Sequence, residues 1–545
     1  MSGARLPLPL RAPLGLAVIG QLFVLLGIVG ILRPWPIACV MLLAIALGVM
    51  RGTSKNVAAT DDSTTQHHRV VVLATIALAV PLFVLALYPP SAFDETLYHL
   101  PFVATLARAG AIRFFPLLRF PAFPQLHELL CVPVFLAAGD TATHLVTVAE
   151  LLLLAGVVAL WPRQRSAGLL AAAVVIGHPI VFELGSVTYV DVALALFVTA
   201  GFVMLNRATT PGSERWLFVA AGFLLGTACS VKYLGGYFAA SAFLFACFFA
   251  RDRRRNVPLF VAGGLAAVLP TYACITALTG SPLFPFAPRL FGVTAWTFVD
   301  APAAPAERVV RALRLFWNIT FARDRVNYQP PYAPTFAVAL LLTFVAATRN
   351  RRAAFVAAMA IVYIIVFTFL PQDSRYLLSL LPVVSVVAAG VVTSRLCSPR
   401  ILVALMLLAV APGLAYAAYR VAKQGPPPVT GAQRRAYLER RLPEYRAFEH
   451  RGEGRIFACG AEQLKHFGGD QFFGEMTGPW SCDKFFRGDL ARNLAALDVH
   501  YLLISRRRCP AAWQRMPAPP AFERVYADAD AELWRLAPRS VTEAR

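Results

Sequence analysis

The chain has 545 residues, 58% of them hydrophobic and only 15% charged, with a mean hydropathy of +0.61. Soluble domains are roughly 45–50% apolar and 25% charged, and no soluble fold of this length hides so much apolar surface. The formal net charge of +21 lies mostly in short clusters between apolar runs, as membrane topology demands. It forms no basic stripe interleaved with aromatics, which argues against nucleic acid as a partner.

In chain order, Arg5 and Arg11 precede a long apolar run without a small-residue cleavage site, so the N-terminus reads as a retained anchor. Apolar segments near the ~20 residues a span needs follow at 13–32, 36–50, 70–88, 141–161, 167–182, 189–206, 215–229, 233–250, 257–278, 332–348, 353–370, 376–394 and 401–419. With a cytoplasmic N-terminus, Arg51–Arg69, Arg163–Arg165, Arg207–Arg215, Arg251–Arg255, Arg349–Arg352 and Arg395–Arg400 all face inside. The apolar segment 124–138 would invert this parity if it crossed. It is short and carries His127 and Glu128, so it is expected as a helix at the outer interface, or partly re-entrant.

Three external pieces remain: loops 89–140 and 279–331, and everything from about 421 to 545. The last begins at Gly425-Pro426-Pro427-Pro428, continues with an Arg-rich helical stretch, and then shows strand-like runs at 455–459, 500–505, 522–527 and 531–536. The expected fold is a polytopic α-helical membrane protein of about 13 transmembrane helices. Residues 1–420 form the membrane domain and 421–545 a small extracytoplasmic α/β domain. Cys459, Cys482 and Cys509 are exported with it, so one disulfide of undetermined pairing is expected.

The chemistry-bearing residues gather at the outer face. Asp94-Glu95 follow a span directly, with Tyr98 and His99 one turn on, and residues 97–110 read as an amphipathic helix ending at Gly110. The bland alternative is a helix start, with Asp94 as N-cap and Glu95 on the dipole. Asp191 sits at the outer end of a span, where an ionisable group marks function by default. Glu183 lies just outside the preceding one. Lysine occurs only at 55, 232, 423, 465 and 484, so Lys232, beside Tyr233 in an outer turn, stands out. Its alternative is snorkelling to the interface. Arg375-Tyr376 stand at another outer helix entrance, where the alternative is ordinary N-terminal polarity. Lys232 and Arg375 run against the positive-inside bias. Together with a carboxylate they suit transfer from a membrane-bound phosphate leaving group.

These residues carry a resemblance. The stretches DETLYHLP (94–101), VTYVDVALALF (187–197), GTACSVKYLGG (226–236), DSRYLLSLLP (373–382), GDQFFGEMTGP (469–479) and LDVHYLLIS (497–505) resemble, in order and outer placement, bacterial GT-C glycosyltransferases. That group includes the lipid A aminoarabinose transferases and protein O-mannosyltransferases. The likeness covers about residues 70–510, and the chain departs from the pattern in having two spans, rather than one, before the helix that leads to the first motif.

The resemblance implies an inverting hexosyl or pentosyl transferase of the bacterial inner membrane. Its donor is a polyprenyl-phosphate sugar and its acceptor an extracytoplasmic lipid, glycan or protein. Asp94 is implied as the catalytic carboxylate, supported by Glu95 and His99, with Asp191 a second acid lining the cavity. Lys232, Tyr233, Arg375 and Tyr376 are implied at the donor phosphate. No metal ligand is assigned, and a divalent cation stays open as a cofactor. The Pro- and Arg-rich loop 279–331 is placed to shape the acceptor or lipid entrance. The competing readings are a transporter or flippase, which would show mid-membrane helix breaks and internal repeats, and a non-enzymatic accessory protein of envelope polysaccharide assembly.

Overall fold

The computed structural model describes residues 7–52, 79–297, 303–396, 398–475, 478–486, 490–509 and 522–537. Of the expected span 70–88, residues 70–78 lie outside the described residues, as do 53–69 of the first inside loop. Five described helices are long and apolar enough to cross a membrane: Leu8–Val29, Thr141–Ala159, Asp191–Ala208, Arg253–Thr279 and Pro399–Gln424. Seven shorter apolar helices accompany them, among them Pro34–Ala46, Trp216–Val231, Gly235–Phe249, Thr335–Ala347 and Leu381–Arg395. Arg351–Phe367 is a further helix of 17 residues. The segment expected as one span at 167–182 is two helices, Arg165–Ile176 and Pro179–Leu184. Pro179 cannot donate an N–H to a continuing helix and starts a new one at its first position.

The bundle is organised around α1 (Asp191–Ala208), in which nearly every residue is buried. A helix so largely apolar belongs inside, and its charged side chains stand at its ends, Asp191 at the start and Arg207 at the close. Beside it runs α2 (Trp216–Val231), which meets α3 (Arg253–Thr279) without intervening side chains. A Cβ on Gly222 would lie 1.9 Å from the Phe260 carbonyl oxygen, and one on Gly263 would lie 2.1 Å from that of Val219. This backbone approach is what small residues spaced by four permit between membrane helices, and it fixes Lys232 just past the end of α2.

The segment 124–138 is a helix, α4 (Leu126–Ala138). Its polar pair is not turned to an interface. His127 and Glu128 are fully buried and face Glu150 at 3.1 Å and His99 at 2.7 Å. Ahead of it, Glu95–His99 form a π-helical turn that runs into α5 (Leu100–Ala109), closed by Gly110 in the left-handed region.

After Gly425 come α6 (Gly431–Arg441), capped by a Thr430–Gln433 box, and α7 (Tyr445–Glu449). A five-stranded sheet follows, built from β1 (Arg455–Cys459), β2 (Phe472–Phe473), β3 (Val499–Ser505), β4 (Phe522–Ala527) and β5 (Ala531–Leu536). The order is β2-β1-β3-β5-β4, with β1 parallel to β2 and β3, and β5 antiparallel to β3 and β4. The four strand-like runs read from the sequence all fall on these strands. Cys459 and Cys482 are joined as a disulfide, and the Cys509 sulfur lies 3.7 Å from that of Cys482.

Replacing Gly222 with Val should separate α2 from α3 and cost about 1–3 kcal/mol, the usual range for overpacking. The melting temperature of the detergent-purified protein should fall. The same change at Gly236, where an added Cβ meets nothing within 4 Å, should leave it unchanged.

Candidate active site

Three short segments at one end of the bundle meet in a buried charge cluster. The first is the start of the π-helical turn with Asp94, the second the N-terminus of α1 with Asp191, and the third the turn Ser374–Leu377 with Arg375. Arg375 is at the centre, 6% exposed. Its guanidinium pairs with the Asp94 carboxylate, lies 2.9 Å from Asp373 and 4.0 Å from Asp191. Lys232 donates to Asp191 Oδ1 at 2.8 Å, and its Nζ sits 4.4 Å from the centre of the Tyr376 ring. The Arg375 guanidinium is also 5.0 Å from the Tyr189 ring centre. Asp94, Asp191, Lys232, Arg375 and Tyr376 are therefore neighbours, although they are spread over 283 positions of the chain.

Asp94 does not cap a helix: its side chain makes no capping hydrogen bond. Instead it takes the Arg375 guanidinium and a hydrogen bond of 3.0 Å from the Tyr98 hydroxyl. Its backbone N–H donates to the Tyr189 hydroxyl at 3.0 Å. Burial alone would raise the Asp94 carboxyl, but Arg375, with His99 and Arg119 behind it, outweighs that and holds the pKa at about 2. Arg375 shows the reciprocal effect. Burial disfavours its charge, yet Asp94 and Asp373 push its pKa well above the ordinary value.

Two neighbouring carboxylates do different jobs. Asp373 anchors loop to turn, accepting from the Arg375 backbone at 3.2 Å and the Asn327 side chain at 2.9 Å. Asp191 keeps one oxygen, Oδ2, buried and without a hydrogen bond. That oxygen is a spare acceptor inside the cluster.

Three residues expected at the site do not touch it. Glu95 points away from Arg375, to His144 Nε2 at 2.7 Å and the backbone N–H groups of Thr188 (2.7 Å), Ser91 and Ala92 (3.2 Å each). Burial raises its carboxyl, but His144 and these donors outweigh that and hold it below the usual range. It staples the turn to the segment before α1. His99 bonds Glu128 at 2.7 Å and leans on the rings of Tyr98 and Tyr189 at 4.2 and 5.5 Å. It positions the partners of Asp94 rather than facing Arg375. Tyr233 donates to the Phe284 carbonyl at 2.8 Å and packs on Tyr272 and Phe286, so it serves the 279–331 loop. Glu183 pairs with Arg420. Sequence reading noted Tyr98 without assigning it to the site and passed over Tyr189 and Asp373. Each lies within two positions of a residue that was assigned.

The C-terminal part closes over the same end. Asp140 accepts from Arg434 at 2.6 Å and His466 at 3.0 Å, Trp480 donates to the Pro116 carbonyl at 2.7 Å, and the Arg508 guanidinium lies 4.6 Å from the Phe93 ring centre. Phe93 is the residue before Asp94. Among the described residues, the one grouping of three His, Cys, Asp or Glu side chains compact enough for a single ion is Cys459, Cys482 and Cys509, and two of these share the disulfide.

Removing Arg375 strands buried carboxylates. Arg375→Leu should destabilise the protein by roughly 3–5 kcal/mol, the usual penalty for breaking a buried pair. The double variant with Asp94→Leu should recover part of that loss, the coupling being read from thermal unfolding of the four proteins in one cycle.

No curated protein sequence matches the chain. The profile of the family described as dolichyl-phosphate-mannose-protein mannosyltransferase matches residues 134–254, and a second profile, without a functional description, matches residues 433–535. Among solved structures, apo ArnT from Cupriavidus metallidurans aligns with a TM-score of 0.59 and 13% identity, covering 87% of this chain and 100% of that one. ArnT bound to undecaprenyl phosphate aligns at 0.54 and 14%, covering 86% and 99%. In fold over most of its length, and in sequence over residues 134–254, the chain is similar to the GT-C glycosyltransferases.

Proposed function

We propose that the chain transfers a sugar from a polyprenyl-phosphate donor to a hydroxyl or phosphate acceptor at the extracytoplasmic face of a bacterial inner membrane. Residues 1–420 act as the membrane domain and 421–545 as an exported domain covering the site. The observation that carries this reading is the Arg375–Asp94 pair, flanked by Lys232 and Asp191, at one end of an apolar bundle. The fold likeness to ArnT, one structure of which holds undecaprenyl phosphate, supports the donor class.

The donor phosphate, as an anion, competes with Asp94 for Arg375 and with Asp191 for Lys232. A planar guanidinium and a mobile ammonium suit a phosphate that gains charge as the glycosidic bond breaks. As Arg375 turns to phosphate, Asp94 loses its main cation. Burial then raises its pKa from about 2 toward a range where it can accept a proton. The acceptor oxygen attacks the anomeric carbon and its proton passes to Asp94. The bond from that carbon to the phosphate oxygen breaks, and the polyprenyl phosphate leaves with the electron pair. A single displacement inverts the anomeric centre. Asp191 Oδ2 is free to receive a sugar hydroxyl. With an anionic phosphate acceptor no proton needs removing, and Asp94 orients the acceptor instead.

The test is transfer from a labelled polyprenyl-phosphate sugar by protein in detergent. Asp94→Asn should lower kcat by roughly 10²–10⁴, the usual contribution of a positioned acid–base group. Lys232→Gln should lower kcat/KM with the fold intact. Equal turnover by wild type and Asp94→Asn removes Asp94 from the reaction. The transporter and accessory readings predict no transfer with any donor. Because the resting Asp94 pKa is depressed, the group stays ionised as pH falls well below its ordinary 3.8. The stability it gives the resting protein is present above that value and is lost only as pH falls through about 2. Accordingly, kcat/KM, which reports the free enzyme, should show no inflection from Asp94 between about pH 5 and pH 9.

A further inference from the structure

At the other end of the bundle lies a cavity of about 490 Å³, within the usual size range of small-molecule sites. It opens between the end of α1 and three helices, α8 (Thr335–Ala347), α9 (Arg351–Phe367) and α10 (Leu381–Arg395). Asn206 of its wall is fifteen residues along α1 from Asp191, about 22 Å at 1.5 Å per residue. The catalytic cluster therefore does not reach it.

The lining is divided by chemistry. Its inner wall is apolar, with Trp161, Phe202 and a run of valines. Gly390 leaves open space there, since an added Cβ would meet nothing within 4 Å. Val345 of the wall is 54% exposed, so the cavity reaches the flank of the bundle where lipid chains run. The mouth carries Arg349, Arg352 and Arg395, and among the described residues no acidic one lines the cavity.

Arg352 is fixed, donating to the Asn206 side chain at 2.5 Å with its guanidinium 5.8 Å from the centre of the Phe249 ring. Arg349 and Arg395 are exposed. Arg207, Arg253, Arg351 and Arg400 stand in the terminal turns of helices and Arg215 and Arg251 in the connections between them, the charge pattern of a cytoplasmic face.

We propose that this cavity binds an anionic phospholipid of the cytoplasmic leaflet, its phosphate between Arg349, Arg352 and Arg395 and one acyl chain along the apolar wall past Gly390. An apolar slot beneath cations that no described carboxylate pairs is complementary to a lipid that carries both an anionic headgroup and a chain. A zwitterionic headgroup offers those cations no net charge, and a soluble phosphate leaves the slot unfilled. The occupied site would tie α1 to α8, α9 and α10 at the end remote from catalysis.

The experiment is native mass spectrometry of the full chain, delipidated in detergent and titrated with phosphatidylglycerol, phosphatidylcholine or glycerol 3-phosphate. Wild type should retain phosphatidylglycerol about tenfold or more over phosphatidylcholine, the scale expected from two arginines near one anionic headgroup. Glycerol 3-phosphate should not displace it. Retention should drop by a similar factor in Arg349→Gln/Arg395→Gln, which alters exposed side chains only, and separately in Gly390→Leu, which fills the slot. Equal retention of the two lipids, unchanged retention in either variant, or displacement by glycerol 3-phosphate would each overturn the proposal.

Discussion

A guanidinium buried in an apolar bundle must be matched by carboxylates, or the structure that buries it does not form. Arg375 imposes that condition here, and much of that end of the bundle is arranged to meet it. Asp94 arrives from the loop after the early helices, Asp191 from the start of the central helix, and Asp373 from the turn that holds Arg375 itself. Each comes with its own support. Tyr98 and Tyr189 hold Asp94, Lys232 holds Asp191, and Asn327 of the 279–331 loop holds Asp373. The ion pairs thus fix where three separate segments meet, while the apolar faces determine only that the helices pack.

Because the cations and carboxylates satisfy one another, the resting cluster is stable and chemically quiet. A carboxyl with a pKa of about 2 is a weak base. In the proposed reaction the donor supplies what changes this, since its phosphate draws on the same two cations. Binding and activation are then one event. The C-terminal layer bears on the same loop, through Arg508 over Phe93 and the Asp140–Arg434–His466 contacts. Movement of that layer would be felt one residue from Asp94.

The sequence made the cluster legible for a physical reason. In a chain that is 58% hydrophobic, isolated ionisable residues at the ends of apolar runs stand out, and loop charges place Asp94, Asp191, Lys232 and Arg375 at the same end. Four of the five strands of the C-terminal sheet were legible as short runs, while β2, only two residues long, was not. Direction was not. Asp94 and Glu95 are adjacent, but successive residues of a helical turn point about 100° apart, so one faces Arg375 and the other His144. His99 and Tyr233 were drawn toward the site by the same proximity in sequence and in fact serve Glu128 and the Phe284 carbonyl. Segment 124–138 was read as interfacial or partly re-entrant on loop-charge parity, its shortness, and the presence of His127 and Glu128. Their partners, Glu150 and His99, lie 23 and 29 residues away, and no local pattern reveals that a buried polar group is already paired. The break at Gly177-His178-Pro179 was hidden within an apolar run, although its proline marks it.

The central claim is that a polyprenyl phosphate takes Arg375 and Lys232 from their carboxylates. A cryo-electron microscopy structure of the protein with bound polyprenyl phosphate tests this most directly. The account predicts the phosphate within hydrogen-bond distance of both cations, with the Arg375–Asp94 pair opened. A phosphate seated elsewhere, with Arg375 still paired to Asp94 and Lys232 to Asp191, would contradict it.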